Sequence, residues 1–152
     1  MALATAARNA ACDSIVDLFD AGAAQPKIQI FDSGSTTLVE WTFNATAAFG
    51  NAGASTAGEA IAATFTTTAT ASVSGGGSAN AFGWRILDGD GTEIASRTNS
   101  DDKSISGGGD RDAIAGTGGN TADIALNQSG LSISDGQELS FTGNVIFRVP
   151  AL

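Results

Sequence analysis

The stretch "AIAATFTTTATASV", residues 60–73, alternates with a period of two. Ile61, Ala63, Phe65, Ala69, Ala71 and Val73 fall on one side, and Thr64, Thr66, Thr68, Thr70 and Ser72 on the other. Successive side chains of a strand point to opposite faces, and β-branched threonine fits a pleated surface well. The stretch therefore predicts a strand with one dry face and one face of hydroxyls. Such a hydroxyl row pairs across a sheet or contacts a neighbouring subunit, with a grip on ice or a polymer as the alternative.

The same period recurs on both sides. "KIQIF" puts Ile28 and Ile30 on one face, and "LVEWTF" does so with Val39, Trp41 and Phe43. "AFGWRIL" aligns Phe82, Trp84 and Ile86, then runs through "DGDG" into "EIASR", a hairpin signal. "ADIAL" and "LSI" read as short strands. "ELSFTGNVIFRV" closes the chain with Leu139, Phe141, Val145, Phe147 and Val149 inward, and Gly143 marks a bulge in that row. The Gly-rich segment from Ser100 to Asn120 reads as either a long loop or a short irregular hairpin. No repeat of fixed period appears.

Before Pro26 the period is helical. Leu3, Ala7, Ala11, Ile15 and Leu18 form one stripe with Phe19 beside it, while Asp13, Asp17 and Asp20 gather opposite as a solvated face. Gly22 suits the left-handed residue that ends a helix, and Pro26 prevents its resumption. The expectation is a mainly β fold: an N-terminal α-helix packed on an antiparallel β-sandwich or flattened barrel of roughly eight strands. It is a single domain over residues 1–152, with the helix in 1–22 and the sandwich in 27–150.

Composition prunes the functions. With no His, a Ser-His-Asp triad or a His-ligated metal is excluded. Sixteen acidic residues against seven scattered basic ones give a net charge of −9, which repels nucleic acid. No run has the length to span a bilayer, and Arg8 and Asp13 interrupt the opening segment as a secretory signal. A lone Cys12 forms no intramolecular disulfide.

Asp32 raises the sharpest chemical question. A strand running into Asp32-Ser33-Gly34-Ser35 is how aspartic proteases present a catalytic carboxylate. That chemistry needs two carboxylates sharing a proton, which here requires a homodimer. "AIAG" (113–116) is the available match for the hydrophobic segment that would cross beneath the turn. The competing reading is a turn, since Asp and Ser bond their own backbone and Gly takes positive φ. "LDGDGTE" hints at a calcium loop, but the twelfth residue from Asp88 is Asn99 where a bidentate Glu is required. Trp41 and Trp84 are read as core residues, with a sugar-stacking platform as the other use. No catalytic, cofactor-binding or metal-binding residue is assigned, no cofactor is implied, and the chain is read as not an enzyme.

Three passages together resemble a family of small virion proteins of tailed phages: "ATAARNAACDSIVDLFDAG", "AFGWRILDGDGTEI" and "IALNQSGLSISDGQELSFTGNVIFRVP". They fall in order along the chain, and the middle third is outside the resemblance. The resemblance implies a head-decoration (cement) subunit on the outer capsid surface, partnered by the major capsid protein or by copies of itself, as in a trimer. Neither nucleic acid nor membrane is an expected partner. A tail or head-surface module binding host glycan is the alternative, and the homodimeric protease the third.

Overall fold

The computed structural model describes residues 4–43, 49–54, 56, 58–61, 68–98, 105–106, 124–125, 132–140 and 146–148. After helix α1 (Thr5–Phe19) the described residues form twelve short strands: β1 (Lys27–Phe31), β2 (Thr37–Thr42), β3 (Glu59–Ile61), β4 (Thr68–Thr70), β5 (Ser78–Asn80), β6 (Gly83–Leu87), β7 (Glu93–Thr98), β8 (Ile105–Ser106), β9 (Ile124–Ala125), β10 (Ser132–Ser134), β11 (Glu138–Ser140) and β12 (Ile146–Arg148). Pairing is antiparallel except between β8 and β9, and no barrel closes among the described strands. The chain is thus mainly β with an N-terminal helix, consistent with a helix on a sandwich.

The largest sheet runs β2-β1-β6-β7. Its inner face carries Ile28, Ile30, Val39, Trp41, Trp84 and Ile86, all buried. Each large apolar side chain removed from water in this way contributes about 1.5–3 kcal/mol. They share one core with Leu38, Phe43, Phe49, Ala71, Val73, Ile133, Leu139 and the helix residues Cys12, Val16 and Phe19.

This sheet is one hairpin used twice. Gln29 lies beside Arg85, an offset of 56 residues, and the same offset relates both hairpins throughout. Ile30, Asp32, Thr36 and Thr42 recur as Ile86, Asp88, Thr92 and Thr98. Even the irregularities match: β1–β2 shifts register between Ile30 and Phe31, and β6–β7 between Ile86 and Leu87. Because β1 and β6 are antiparallel, the two turns emerge at opposite ends of the sheet. Few identities survive, so no repeat shows in the letters alone.

The second ladder joins segments distant in sequence. β3 pairs with β12, β4 with β11 and β5 with β10. Ala71 N–H donates to Gln137 O at 2.8 Å and Gly136 N–H to Ala71 O at 2.9 Å, so pairing continues past β4. Ser72 N–H donates to Leu38 O at 2.8 Å, tying this ladder to the β2 edge. The expected alternation holds where it is described: Thr68, Thr70 and Ser72 are exposed, Ala71 and Val73 buried. Thr64, Thr66, Ala63 and Phe65 lie outside the described residues, as do Gly143 and most of Ser100–Asn120.

The helix turns a different face inward than its alanine pattern suggests. Cys12, Val16 and Phe19 are buried, whereas Ala7 is exposed and Leu18 is 51% exposed. Phe19 packs against Phe49 and Phe147 with ring centroids 5.5 and 5.7 Å away. Bulky aromatic contacts outweigh a stripe built largely of alanine, which adds little burial energy per residue. Asp13 is not on a purely solvated face either. It accepts Ala52 N–H at 2.6 Å, and one turn earlier Asn9 accepts Gly58 N–H at 2.7 Å.

Candidate functional site

Polar side chains gather at the two aspartate turns, on the outer face of the four-stranded sheet, and in hydroxyl pairs across β4–β11 and β5–β10.

The Asp32 turn has the geometry of a backbone-capping aspartate. Gly34 and Thr36 N–H groups donate to Asp32 Oδ1 at 2.9 and 2.8 Å, and Ser35 N–H donates to Asp32 O at 2.9 Å. Ser35 takes φ 64, so the left-handed position is held by a non-glycine residue. Asp88 builds the same turn: Asp90 and Thr92 N–H groups donate to its Oδ1 at 2.9 and 2.7 Å, and Gly91 N–H to its carbonyl at 3.1 Å. Both aspartates spend an oxygen on their own loop, which is the turn reading of each. Among the described residues no group of three His, Cys, Asp or Glu side chains could hold a metal ion.

The twin turns differ in surroundings. Asp32 is half-buried, whereas Asp88 is 7% exposed because its turn seats on the segment that follows α1. Gly89 N–H donates to Ala21 O at 2.8 Å, and Gly22 takes φ +94 beneath Asp90, as a helix-ending glycine should. That contact requires glycine at 89, where a Cβ would overlap the Ala24 carbonyl.

On the sheet's outer face, Gln29 is 8% exposed and bonded through both its amide oxygen and its amide nitrogen. Its Nε2 donates to Glu40 Oε2 at 2.6 Å, while its Oε1 accepts Arg85 Nε at 2.7 Å and Thr37 Oγ1 at 3.2 Å. Arg85 Nη2 also donates to Thr37 Oγ1 at 3.0 Å, and the guanidinium lies 5.3 Å from the Phe31 ring centroid. Lys27 closes the row with an ion pair to Glu40 at 2.9 Å. Partial burial alone would raise the Glu40 carboxyl. The hydrogen bonds from Lys27 and Gln29, with the Lys27 charge, outweigh it and hold the group below its ordinary value. The sequence reading missed this network. Its signal was Gln29, Glu40 and Arg85 at outward positions of strands whose alternate residues are apolar.

Hydroxyls line two separate two-stranded pairs, β4–β11 and β5–β10. Thr68 and Ser140 hydroxyls bond across the ladder at 3.0 Å, and Ser78 and Ser134 at 2.9 Å. Thr70, Asn80 and Ser132 are exposed on the same strands, and Glu138 is the one charged residue in these four strands. Both tryptophans sit elsewhere and inward, Trp41 at 1% and Trp84 at 7% exposure.

Compared with known proteins, the chain matches no family model, no curated protein and no solved structure.

Proposed function

We propose that the protein is a structural subunit of a tailed-phage virion, a decoration or cement protein seated on the outer head surface. The observation that carries this reading is the set of exposed, nearly uncharged hydroxyls on the β4–β11 and β5–β10 pairs. Hydroxyls both donate and accept, so they meet a neighbouring protein through many modest bonds without the cost of burying charge. Repetition around a symmetric shell multiplies a weak contact into strong avidity. The passages resembling small phage virion proteins supply the setting, and the net charge of −9 suits a surface kept away from packaged DNA.

The other readings draw less support. A sugar-stacking platform needs exposed aromatic faces, and both tryptophans are buried. A protease needs its aspartate free to share a proton, whereas Asp32 Oδ1 accepts two backbone N–H groups.

Heads carrying the protein and heads stripped of it are heated side by side and DNA release is followed. Cementing raises the release temperature of the decorated heads. Identical release temperatures would sink the proposal.

A further inference from the structure

The chain holds three Asp-Gly pairs: Asp88-Gly89, Asp90-Gly91 and Asp135-Gly136. At such a pair the glycine amide nitrogen can attack the aspartyl carboxyl carbon, because glycine has no Cβ to shield it and its backbone reaches conformations closed to other residues. Two of the pairs are held from both sides. Asp88 is buried with two N–H groups on its Oδ1, and Gly89 N–H donates to Ala21 O at 2.8 Å. Asp135 is exposed but bonded to the facing segment. Its Oδ1 accepts Val73 N–H at 2.8 Å, its own N–H donates to Gly77 O at 2.8 Å, and Gly136 N–H donates to Ala71 O at 2.9 Å.

Asp90-Gly91 is set differently. Both residues are exposed, and their backbone N–H groups bond within their own turn, Asp90 N–H to Asp88 Oδ1 at 2.9 Å and Gly91 N–H to Asp88 O at 3.1 Å. Gly91 takes φ +85, with open space for 4 Å around the place a Cβ would occupy. We infer that Asp90-Gly91 is a modification site at which the folded chain isomerises its own backbone to isoaspartate. Gly91 N bonds to Cγ of the protonated Asp90 carboxyl, the amide proton and the carboxyl hydroxyl leave as water, and a succinimide ring closes. Water then adds at the Asp90 backbone carbonyl carbon, breaks its bond to Gly91 N and returns a proton to that nitrogen. The chain now runs through Cβ and Cγ, the old backbone carbonyl is a free carboxylate, and nothing has been oxidised or reduced. Asp88 Oδ1 holds the N–H groups on either side of the altered linkage, Asp90 at 2.9 Å and Thr92 at 2.7 Å. One more backbone carbon between them pulls that pairing apart, so the modification loosens the turn.

The purified chain is incubated at neutral pH, folded and in parallel in concentrated urea. Isoaspartate is measured by methyl transfer from S-adenosylmethionine with an isoaspartyl methyltransferase, and electron-transfer fragmentation of tryptic peptides assigns it to a residue. In the folded chain it should form at Asp90 about ten- to a hundredfold faster than at Asp88 or Asp135, which must first break the bonds that hold them. In urea the three pairs should react at similar rates. Asp90→Glu carries its carboxyl beyond the reach of a succinimide ring and should remove the folded-state signal while the circular dichroism spectrum is kept. The isomer, separated by ion exchange, should melt below the unmodified chain. Four results overturn the inference: no isoaspartate at Asp90 in the folded chain, equal folded-state rates at the three pairs, a signal that survives in Asp90→Glu, or an isomer that melts with the unmodified chain.

Discussion

Substituting Gly89 by alanine tests the seating of the second hairpin turn on the segment that follows α1. A Cβ at 89 would overlap the Ala24 carbonyl oxygen and stand 2.9 Å from its carbon and 3.0 Å from Ala21 O. These are backbone atoms, so no side chain can swing aside and the turn must lift. Lifting breaks the Gly89 N–H bond to Ala21 O. The lost bond costs about 1 kcal/mol and the forced repacking about 1–3 kcal/mol, so roughly 2–4 kcal/mol in total. For a chain of this size that lowers the thermal midpoint by about 5–15 °C. The assay is a thermal melt by circular dichroism. Ser33 supplies an internal control, because it occupies the equivalent place in the exposed twin turn and already carries a side chain. Ser33→Ala should leave the midpoint essentially unchanged. If Gly89→Ala melts with the wild type, the turn is not held against that segment and the packing argument is wrong.

The twin turns should also respond unequally to loss of the aspartate. Asp88→Ala removes a buried carboxylate from two part-buried N–H bonds and should cost about 1–3 kcal/mol in urea denaturation, while Asp32→Ala, whose two bonds are exposed, should cost about 0.5–1 kcal/mol because water replaces the carboxylate; equal costs would contradict the difference in burial. Glu40 is lowered in the folded state, so its pairing contributes fully above the ordinary value of 4.5 and is lost as pH falls through the lower folded value. Lys27→Met should shrink that acid-limb loss, and a stability profile unaltered below that value would show that the pair does not act as described. Trp41 and Trp84 should emit at blue-shifted wavelengths and resist iodide quenching; efficient quenching would place at least one of them at the surface.

Sequence reading reached the elements better than their orientation. The strands carrying Ile28 and Ile30, Val39 and Trp41, and Trp84 and Ile86 were legible because aliphatic and aromatic residues alternate strictly, and the DGDG turn because its residues admit few other backbones. The helix was legible too, but not its buried face. Alanine fits exposed and buried positions alike, so the stripe through Ala7 and Ala11 took in Phe19 at its side but not Cys12 and Val16, which share its burial. The twinned hairpin stayed hidden because turn chemistry and register can repeat while most residues change. The Arg85 network was equally hidden, since cross-strand partners follow from register, and register depends here on bulges that no residue pattern announces.

The second ladder imposes an order on synthesis. Strands β3, β4 and β5 leave the ribosome first, and their partners β12, β11 and β10 all lie in the closing stretch of the chain. Until that stretch emerges, three strands wait with unsatisfied edges, a state that invites pairing with other nascent copies. The twinned sheet, by contrast, draws all its strands from residues 27–98 and can form early. Premature termination before residue 132 would therefore yield a half-built product, sound in one sheet and adhesive in the other.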